Sequence, residues 1–220
     1  MIRNKVWSLA LVAMLAMSAM VASSAMAEPT LQNKENKNVT LKGKLLSGTF
    51  TIDGSSVECT TGTLNALGET ADGSTNATLH PEVSGCNAFG FIGATVSTTG
   101  CNYRGMAKGT VKEMFFNSGE LQVECEAGKA ININASTCSA SIGSQTVTTG
   151  VDFSNTTAEQ NGDGFMDFDI HTTNSPVAVT KNADGFGCPF SGTGATTATG
   201  NATWTVQCFI GGVQVDCTIE

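Results

Sequence analysis

Basic residues are scarce in this sequence. Among 220 residues, only 11 are Lys or Arg, whereas 19 are Asp or Glu. From residue 47 onward, five basic residues stand against seventeen acidic ones. A nucleic-acid partner requires a basic surface that replaces the counterions of the phosphates. The composition therefore excludes a nucleic-acid-binding protein, and its acidity favours solubility without identifying a partner.

Catalytic motifs are also missing. The sequence has two histidines, His80 and His171, and neither a Gly-x-Ser-x-Gly nucleophile elbow nor a His-Glu-x-x-His zinc motif occurs in it. A Ser–His–acid site assembled from distant residues would leave no such local pattern. The sequence therefore favours a non-enzymatic protein, with a hydrolase as the weaker alternative.

Long apolar runs are absent except at the amino terminus. Residues 6–22 form an uncharged, mainly apolar run after the basic residues Arg3 and Lys5, and Ala25, Met26 and Ala27 follow in a small-x-small pattern. This arrangement is typical of a signal peptide that is removed by signal peptidase. We therefore expect residues 1–27 to be cleaved. The remaining chain is then secreted or extracytoplasmic, without a membrane span, and its partner belongs to the cell envelope or the extracellular space.

Cysteine is what the sequence has in abundance. Eight cysteines follow the predicted cleavage point, and none forms the close Cys-x-x-Cys pair of a structural zinc site. An even number of cysteines in an exported chain predicts disulfides, here four. The disulfide candidates are Cys59, Cys86, Cys101, Cys125, Cys138, Cys188, Cys208 and Cys217.

Four of these cysteines follow a valine by two positions: Cys59, Cys125, Cys208 and Cys217. In a strand, residues i and i+2 share a face, so each of these cysteines is predicted to point inward with its valine, and the residue between them outward. The other four follow Gly, Ser or Thr, as is typical of turns. Eight cysteines allow 105 pairings. Pairing each strand cysteine with a turn cysteine is one hypothesis, and a terminal hairpin closed by Cys208 and Cys217 is the alternative.

The composition predicts an all-β fold. Threonine occurs 30 times, glycine 25 times and proline four times, and short alternating apolar runs are separated by Gly, Asn, Asp and Ser. We expect an antiparallel β-sandwich or barrel-like domain of short strands, with little helix after the signal peptide. Residues 28–44 are polar and predicted to be flexible, and residues 45–220 form a single domain. A candidate sub-boundary near 153–164 separates five cysteines from three, so at least one bridge must cross it if all eight are paired.

One segment has the spacing of a calcium loop. Glu159, Asn161, Asp163 and Asp167 occupy positions 1, 3, 5 and 9 of the segment 159–170, but position 12 lacks the required carboxylate. An Asn-Gly-Asp-Gly turn that opens a strand explains the same residues. We therefore assign no metal or cofactor and retain calcium as the alternative.

Several stretches resemble exported bacterial proteins. The segments 57–64, 84–86, 99–103 and 125–138 (V-E-C-T-T-G-T-L, S-G-C, T-G-C-N-Y and C-E-A-G-K-A-I-N-I-N-A-S-T-C) are similar to uncharacterised, cysteine-containing, exported β-proteins of the actinobacterial type. The resemblance covers roughly residues 47–150 and implies a β fold, with no activity or catalytic residue. We therefore expect a non-enzymatic secreted or cell-surface protein with a structural or interaction role. A calcium- or carbohydrate-binding module is the alternative.

Overall fold

A computed structural model describes residues 28–108, 115–116, 119–183, 188, 190 and 192–220. The predicted signal peptide, residues 1–27, lies outside the described residues. The described chain is almost entirely β-structure, as the composition predicts, with one helical turn, α1 (Ala158–Asn161). Its strands are β1 (Leu31–Asn33), β2 (Val39–Ile52), β3 (Ser55–Thr70), β4 (Asn76–Ala88), β5 (Ile92–Ser97), β6 (Cys101–Ala107), β7 (Phe115–Phe116), β8 (Gly119–Cys125), β9 (Ile131–Ala135), β10 (Cys138–Ile142), β11 (Gln145–Val147), β12 (Val151–Thr156), β13 (Asp167–Ala183), β14 (Gly192–Ile210), β15 (Val213–Val215) and β16 (Cys217–Ile219).

Eight antiparallel strands close into a barrel. Their order is β4, β3, β2, β14, β13, β10, β9 and β5, and pairing of β5 with β4 completes the ring. Closure satisfies the backbone groups that an open sheet would leave at its edges. The barrel is thus the correct one of the two predicted β architectures.

Further strands extend from two of the barrel strands. Residues 86–88 of β4 pair with β5, whereas residues 76–79 of the same edge pair with β6, which continues to β8 and β11. Likewise β13 pairs with β10 near residue 180 and with β12 over residues 167–172. One part of β4 and one part of β13 therefore belong to the barrel, and another part of each strand pairs with a flanking strand.

The strands are longer than the sequence predicts, because bulges join runs that look separate. The runs 165–171 and 176–180 belong mostly to the single strand β13, whose pairing with β14 shifts between Thr172 and Ser175. The pairing of β2 with β14 shifts at Leu46 in the same way. A bulge bends a strand and increases its twist without ending it, as a closed barrel requires.

The amino-terminal segment differs from the flexible segment predicted for residues 28–44. Leu31 pairs with Ile219 in a separate two-stranded sheet, and Val39 and Leu41 at the start of β2 are fully buried. The stabilising partner is the far end of the chain, which local composition does not reveal. The range 153–164 likewise begins within β12, whose residues 153–156 pair with β13 in the main sheet. Among the described residues, no helix has the length and apolarity needed to cross a membrane.

Four disulfides join the eight cysteines, as the sequence predicts. Cys59–Cys86 and Cys101–Cys125 link directly opposed residues on neighbouring strands, and both follow the strand-to-turn rule. Cys138–Cys188 and Cys208–Cys217 do not follow that rule. The terminal-hairpin alternative is therefore correct for the last pair, and Cys138–Cys188 is the bridge that crosses the 153–164 segment.

The Val-x-Cys pattern has the predicted orientation only in part, because Cys59 and Cys125 are half-buried, as are Gln207 and Asp216, the middle residues of the last two sites. Val57 and Val123 are buried, whereas Glu58 and Glu124, the residues that follow them, are exposed. Cys208 and Cys217 are fully enclosed in the core. The pattern therefore marks places where a disulfide meets the core.

Candidate functional site

The inward faces of the strands line a cavity of about 160 Å³. Its walls come from the barrel and from the flanking strands β6, β8 and β11, and they are almost wholly aliphatic or aromatic. Representative residues are Leu45, Phe50, Leu121, Ile133 and Val177. An apolar wall offers dispersion contacts and few hydrogen bonds, so the cavity suits an apolar occupant better than water.

Small residues at inward positions create this space. Gly48, Gly200 and Ala202 line the cavity where larger side chains would fill it. A methyl group at Gly200 would come no closer than 3.8 Å to its nearest neighbour, a methyl carbon of Val177. Trp204, two residues after Ala202 on the same face of β14, closes the wall on that side.

Tyr103 contributes a polar atom to this wall. It lies on β6 opposite Val123 and lines the cavity. Within the described part of the chain, its hydroxyl has no hydrogen-bond partner. The hydroxyl oxygen keeps accessible surface, because no fully buried side-chain N or O atom of the described residues is unpaired. Desolvation raises the pKa of Tyr103 to about 12, so the phenol stays protonated at neutral pH and can both donate and accept.

A second polar spot lies at the bulge of β13. Ser175 donates a hydrogen bond of 3.0 Å to the carbonyl of Gly150 and is thereby satisfied. Thr172 also lines the cavity, and its hydroxyl has no partner among the residues that the structure describes. Thr49 lines the cavity as well, and so does Asn201, whose Oδ1 accepts a hydrogen bond from the backbone N–H of Asn174. Among the described residues, the wall therefore presents the unpaired hydroxyls of Thr49, Thr172 and Tyr103 and the side-chain NH₂ of Asn201 within a mainly apolar surface.

The calcium candidates form a different cluster, outside this cavity. Asp163 Oδ2 accepts hydrogen bonds from Nε2 of Gln207 at 2.8 Å and from Nε2 of Gln214 at 2.9 Å. Gln214 Nε2 also donates to Oδ1 of Asp167 at 3.4 Å, and Asn161 Nδ2 donates to Oδ2 of Asp167 at 3.1 Å. Two carboxylates therefore share neutral amide donors from β14, β15 and α1.

The two carboxyl groups differ in their electrostatic environments. Burial, then the nearby charge of Asp163, raises the pKa of Asp167 to about 6. The backbone N–H of Phe165, then the amides of Gln214 and Gln207, lower the pKa of Asp163 below its ordinary value. Hydrogen bonds to the ionised form stabilise Asp163, whereas desolvation destabilises the ionised form of Asp167.

Only part of the predicted calcium set comes together. Asn161, Asp163 and Asp167 meet, whereas Glu159 is exposed on α1. In the described ranges, no group of three or more His, Cys, Asp or Glu side chains is arranged to hold a metal ion. Sequence reasoning missed Gln207 and Gln214, because they reach the cluster through strand pairing more than 40 residues away.

The two histidines occupy different surroundings. His80, which its neighbours suggest is a loop residue, lies in β4, with Nδ1 at 3.1 Å from the carbonyl oxygen of Cys101. His171 Nε2 lies 2.9 Å from Oγ of Ser154 and 3.9 Å from Oδ2 of Asp169. A catalytic triad places the carboxylate on Nδ1, but Thr203 Oγ1 lies closest to that atom at 3.3 Å. Serine and carboxylate thus face the same nitrogen.

Comparisons with known proteins identify no similar protein. No family model, no curated protein and no solved structure matches the chain. The resemblance to exported bacterial β-proteins therefore stays a prediction, and any function must be argued from the cavity and the clusters described above.

Proposed function

We propose that this protein is a non-enzymatic, extracytoplasmic binding domain that holds a small apolar molecule in its cavity. The observation that carries this proposal is the cavity of about 160 Å³ with its nearly continuous apolar wall. Small-molecule sites are concave and mostly apolar, and an apolar ligand that covers this wall removes apolar surface from water.

The volume sets the size of the ligand. A dry, apolar cavity of about 150 Å³ in another protein accommodates benzene. The present cavity therefore suits a compact molecule of roughly six to ten non-hydrogen atoms. A carbohydrate fits poorly, because most of its hydroxyl groups would lose their hydrogen bonds with water and find no partner on this wall.

The disulfides support the proposed compartment. Four bridges with no free cysteine among the described residues fit an oxidising environment. They also favour a rigid cavity, since Cys59, whose bridge joins β3 to β4, lies in the cavity wall. A preformed cavity lowers the entropic cost of binding.

Binding of fluorobenzene to the purified, oxidised protein tests the proposal, with ligand-observed ¹⁹F NMR as the measurement. We expect saturable binding to the wild type and strongly weakened binding to Ala202→Leu, which fills the cavity. Ala178→Leu is the matched control, because Ala178 is exposed on the outer face of β13.

The same experiment has a clear adverse outcome. No saturable binding to the wild type, or equal loss of binding in both leucine variants, would overturn the proposal. If Ala202→Leu does not fold, Gly200→Ala serves in its place, because its added methyl meets no atom closer than 3.8 Å. Binding to Gly200→Ala should be weaker than to the wild type.

A further inference from the structure

We infer that the ligand carries one hydrogen-bonding oxygen or nitrogen, and that the Tyr103 hydroxyl recognises it. This inference rests on the proposed binding function and adds the chemical class of the ligand. The class is a compact apolar molecule with a single polar group, such as a monocyclic alcohol, phenol or ketone. Tyr103 is thereby a specificity-determining residue.

The position of the hydroxyl supports this role. Tyr103 lies on the inward face of β6 and lines the cavity, and its neighbours there, Val123 and Leu121 of β8, offer only aliphatic side chains. A hydroxyl that leaves water without a new partner loses the free energy of its hydrogen bonds. The polar groups of the described chain leave the Tyr103 hydroxyl unpaired.

Water is a poor substitute for such a ligand. A bound water is stable when it makes two to four hydrogen bonds. In the described residues, the unpaired polar side-chain groups of the wall are the hydroxyls of Tyr103, Thr172 and Thr49 and Nδ2 of Asn201, and the rest of the wall is mainly apolar. Water that filled the space would therefore face mostly carbon. A ligand with one polar atom satisfies Tyr103 and covers the apolar wall at the same time.

The protonation state makes the hydroxyl a versatile partner. With its pKa at about 12, the phenol is neutral throughout the physiological range. It can donate to a carbonyl, or accept from an alcohol or phenol, without the cost of enclosing a charge. An anionic ligand is disfavoured, because none of the residues that line the cavity is basic.

Paired probes test the inference. 4-Fluorophenol and fluorobenzene differ by one hydroxyl, and their dissociation constants are measured by ¹⁹F NMR with wild type, Tyr103→Phe and Thr197→Val. We expect Tyr103→Phe to weaken the binding of 4-fluorophenol by roughly 3- to 10-fold relative to the binding of fluorobenzene. Thr197→Val removes an exposed hydroxyl and should leave the ratio unchanged.

The outcomes separate this inference from the proposed function. If both probes bind but Tyr103→Phe leaves the ratio unchanged, the inference is overturned while the binding function stands. If Thr172→Val changes the ratio instead, the assignment to Tyr103 is overturned. If neither probe binds the wild type, both the inference and the proposed function fail.

A second measurement needs no variant. In cyclohexane a phenol hydroxyl has no partner, so transfer from water strongly favours fluorobenzene over 4-fluorophenol. The preference of the wild-type protein for fluorobenzene over 4-fluorophenol should be at least about tenfold smaller than that of cyclohexane, because the phenol regains one hydrogen bond in the cavity. A preference as large as that of cyclohexane would overturn the inference.

Discussion

The side-chain amide of Asn161 donates a hydrogen bond of 3.1 Å to the carboxylate of Asp167, whose side chain is fully buried. Gln214 supplies a second, longer contact of 3.4 Å. Both donors are neutral, so they compensate only partly for the lost hydration of the carboxylate. The pKa of Asp167 is raised to about 6 because this compensation is incomplete.

The contribution of the Asp167 carboxyl group to the free energy of unfolding is expected to fall as pH rises. The folded protein holds the Asp167 proton more tightly than the unfolded chain, where the ordinary value is 3.8. The contribution of this group is therefore fully present below about pH 4 and is lost as pH rises through 6. We expect a loss on the order of 2 kcal/mol in the free energy of unfolding, measured by urea denaturation between pH 4 and pH 7.

The matched variants isolate that contribution. Asp167→Asn cannot ionise, so the difference between its pH profile and that of the wild type reports Asp167 alone. Glu159→Gln removes an exposed carboxylate nearby and should leave the wild-type slope in place. Parallel profiles for wild type and Asp167→Asn would contradict the expected linkage.

Calcium is not expected to stabilise the fold. Each carboxylate oxygen of Asp163 and Asp167 already accepts a hydrogen bond from a backbone or side-chain N–H. A calcium ion would need six to eight oxygen ligands here, and the amide N–H groups would have to turn away. Thermal melting in calcium and in EDTA should agree within about 1 °C. A higher Tm in calcium that disappears in Asp163→Asn would show that a site forms.

The sequence predicts the fold class because its signals are local. Alternating apolar residues, frequent turn residues and the Val-x-Cys pattern each depend on a few neighbouring positions. Val57 and Glu58 point to opposite faces for that reason. The parity of the cysteines also requires at least one bridge across residue 160, and Cys138–Cys188 is the one that forms.

The site is not predictable by the same means, because it depends on pairing between distant strands. Gln214 reaches Asp163 across 51 residues. Gly200 and Ala202 look like turn or spacer residues in the sequence, yet they are inward positions of the longest strand and leave the cavity open. Whether a small residue leaves a cavity can be predicted only when the register of the whole barrel is known.

Two buried disulfides are expected to differ in their effect on stability. Cys138–Cys188 spans 50 residues and Cys208–Cys217 spans nine, and all four cysteines are buried. The loop-entropy model gives about 4 kcal/mol for the long loop and about 2.5 kcal/mol for the short one. Replacing each pair by two alanines should lower the free energy of unfolding in that order. Equal losses in urea denaturation would contradict an entropic origin.

Gly150 is expected to be irreplaceable at the junction before β12. Its φ is +69°, and an added Cβ would lie 2.0 Å from the carbonyl oxygen of Thr173. The Gly150 carbonyl also accepts hydrogen bonds from Thr173 N and Ser175 Oγ, so the backbone cannot move away without breaking both. Gly150→Ala should therefore cost about 3 kcal/mol or more in urea denaturation. Gly143→Ala, with no atom within 4 Å of its Cβ, should stay within about 0.5 kcal/mol of the wild type. Equal stability of the two variants would mean that the β13 bulge can relax around residue 150.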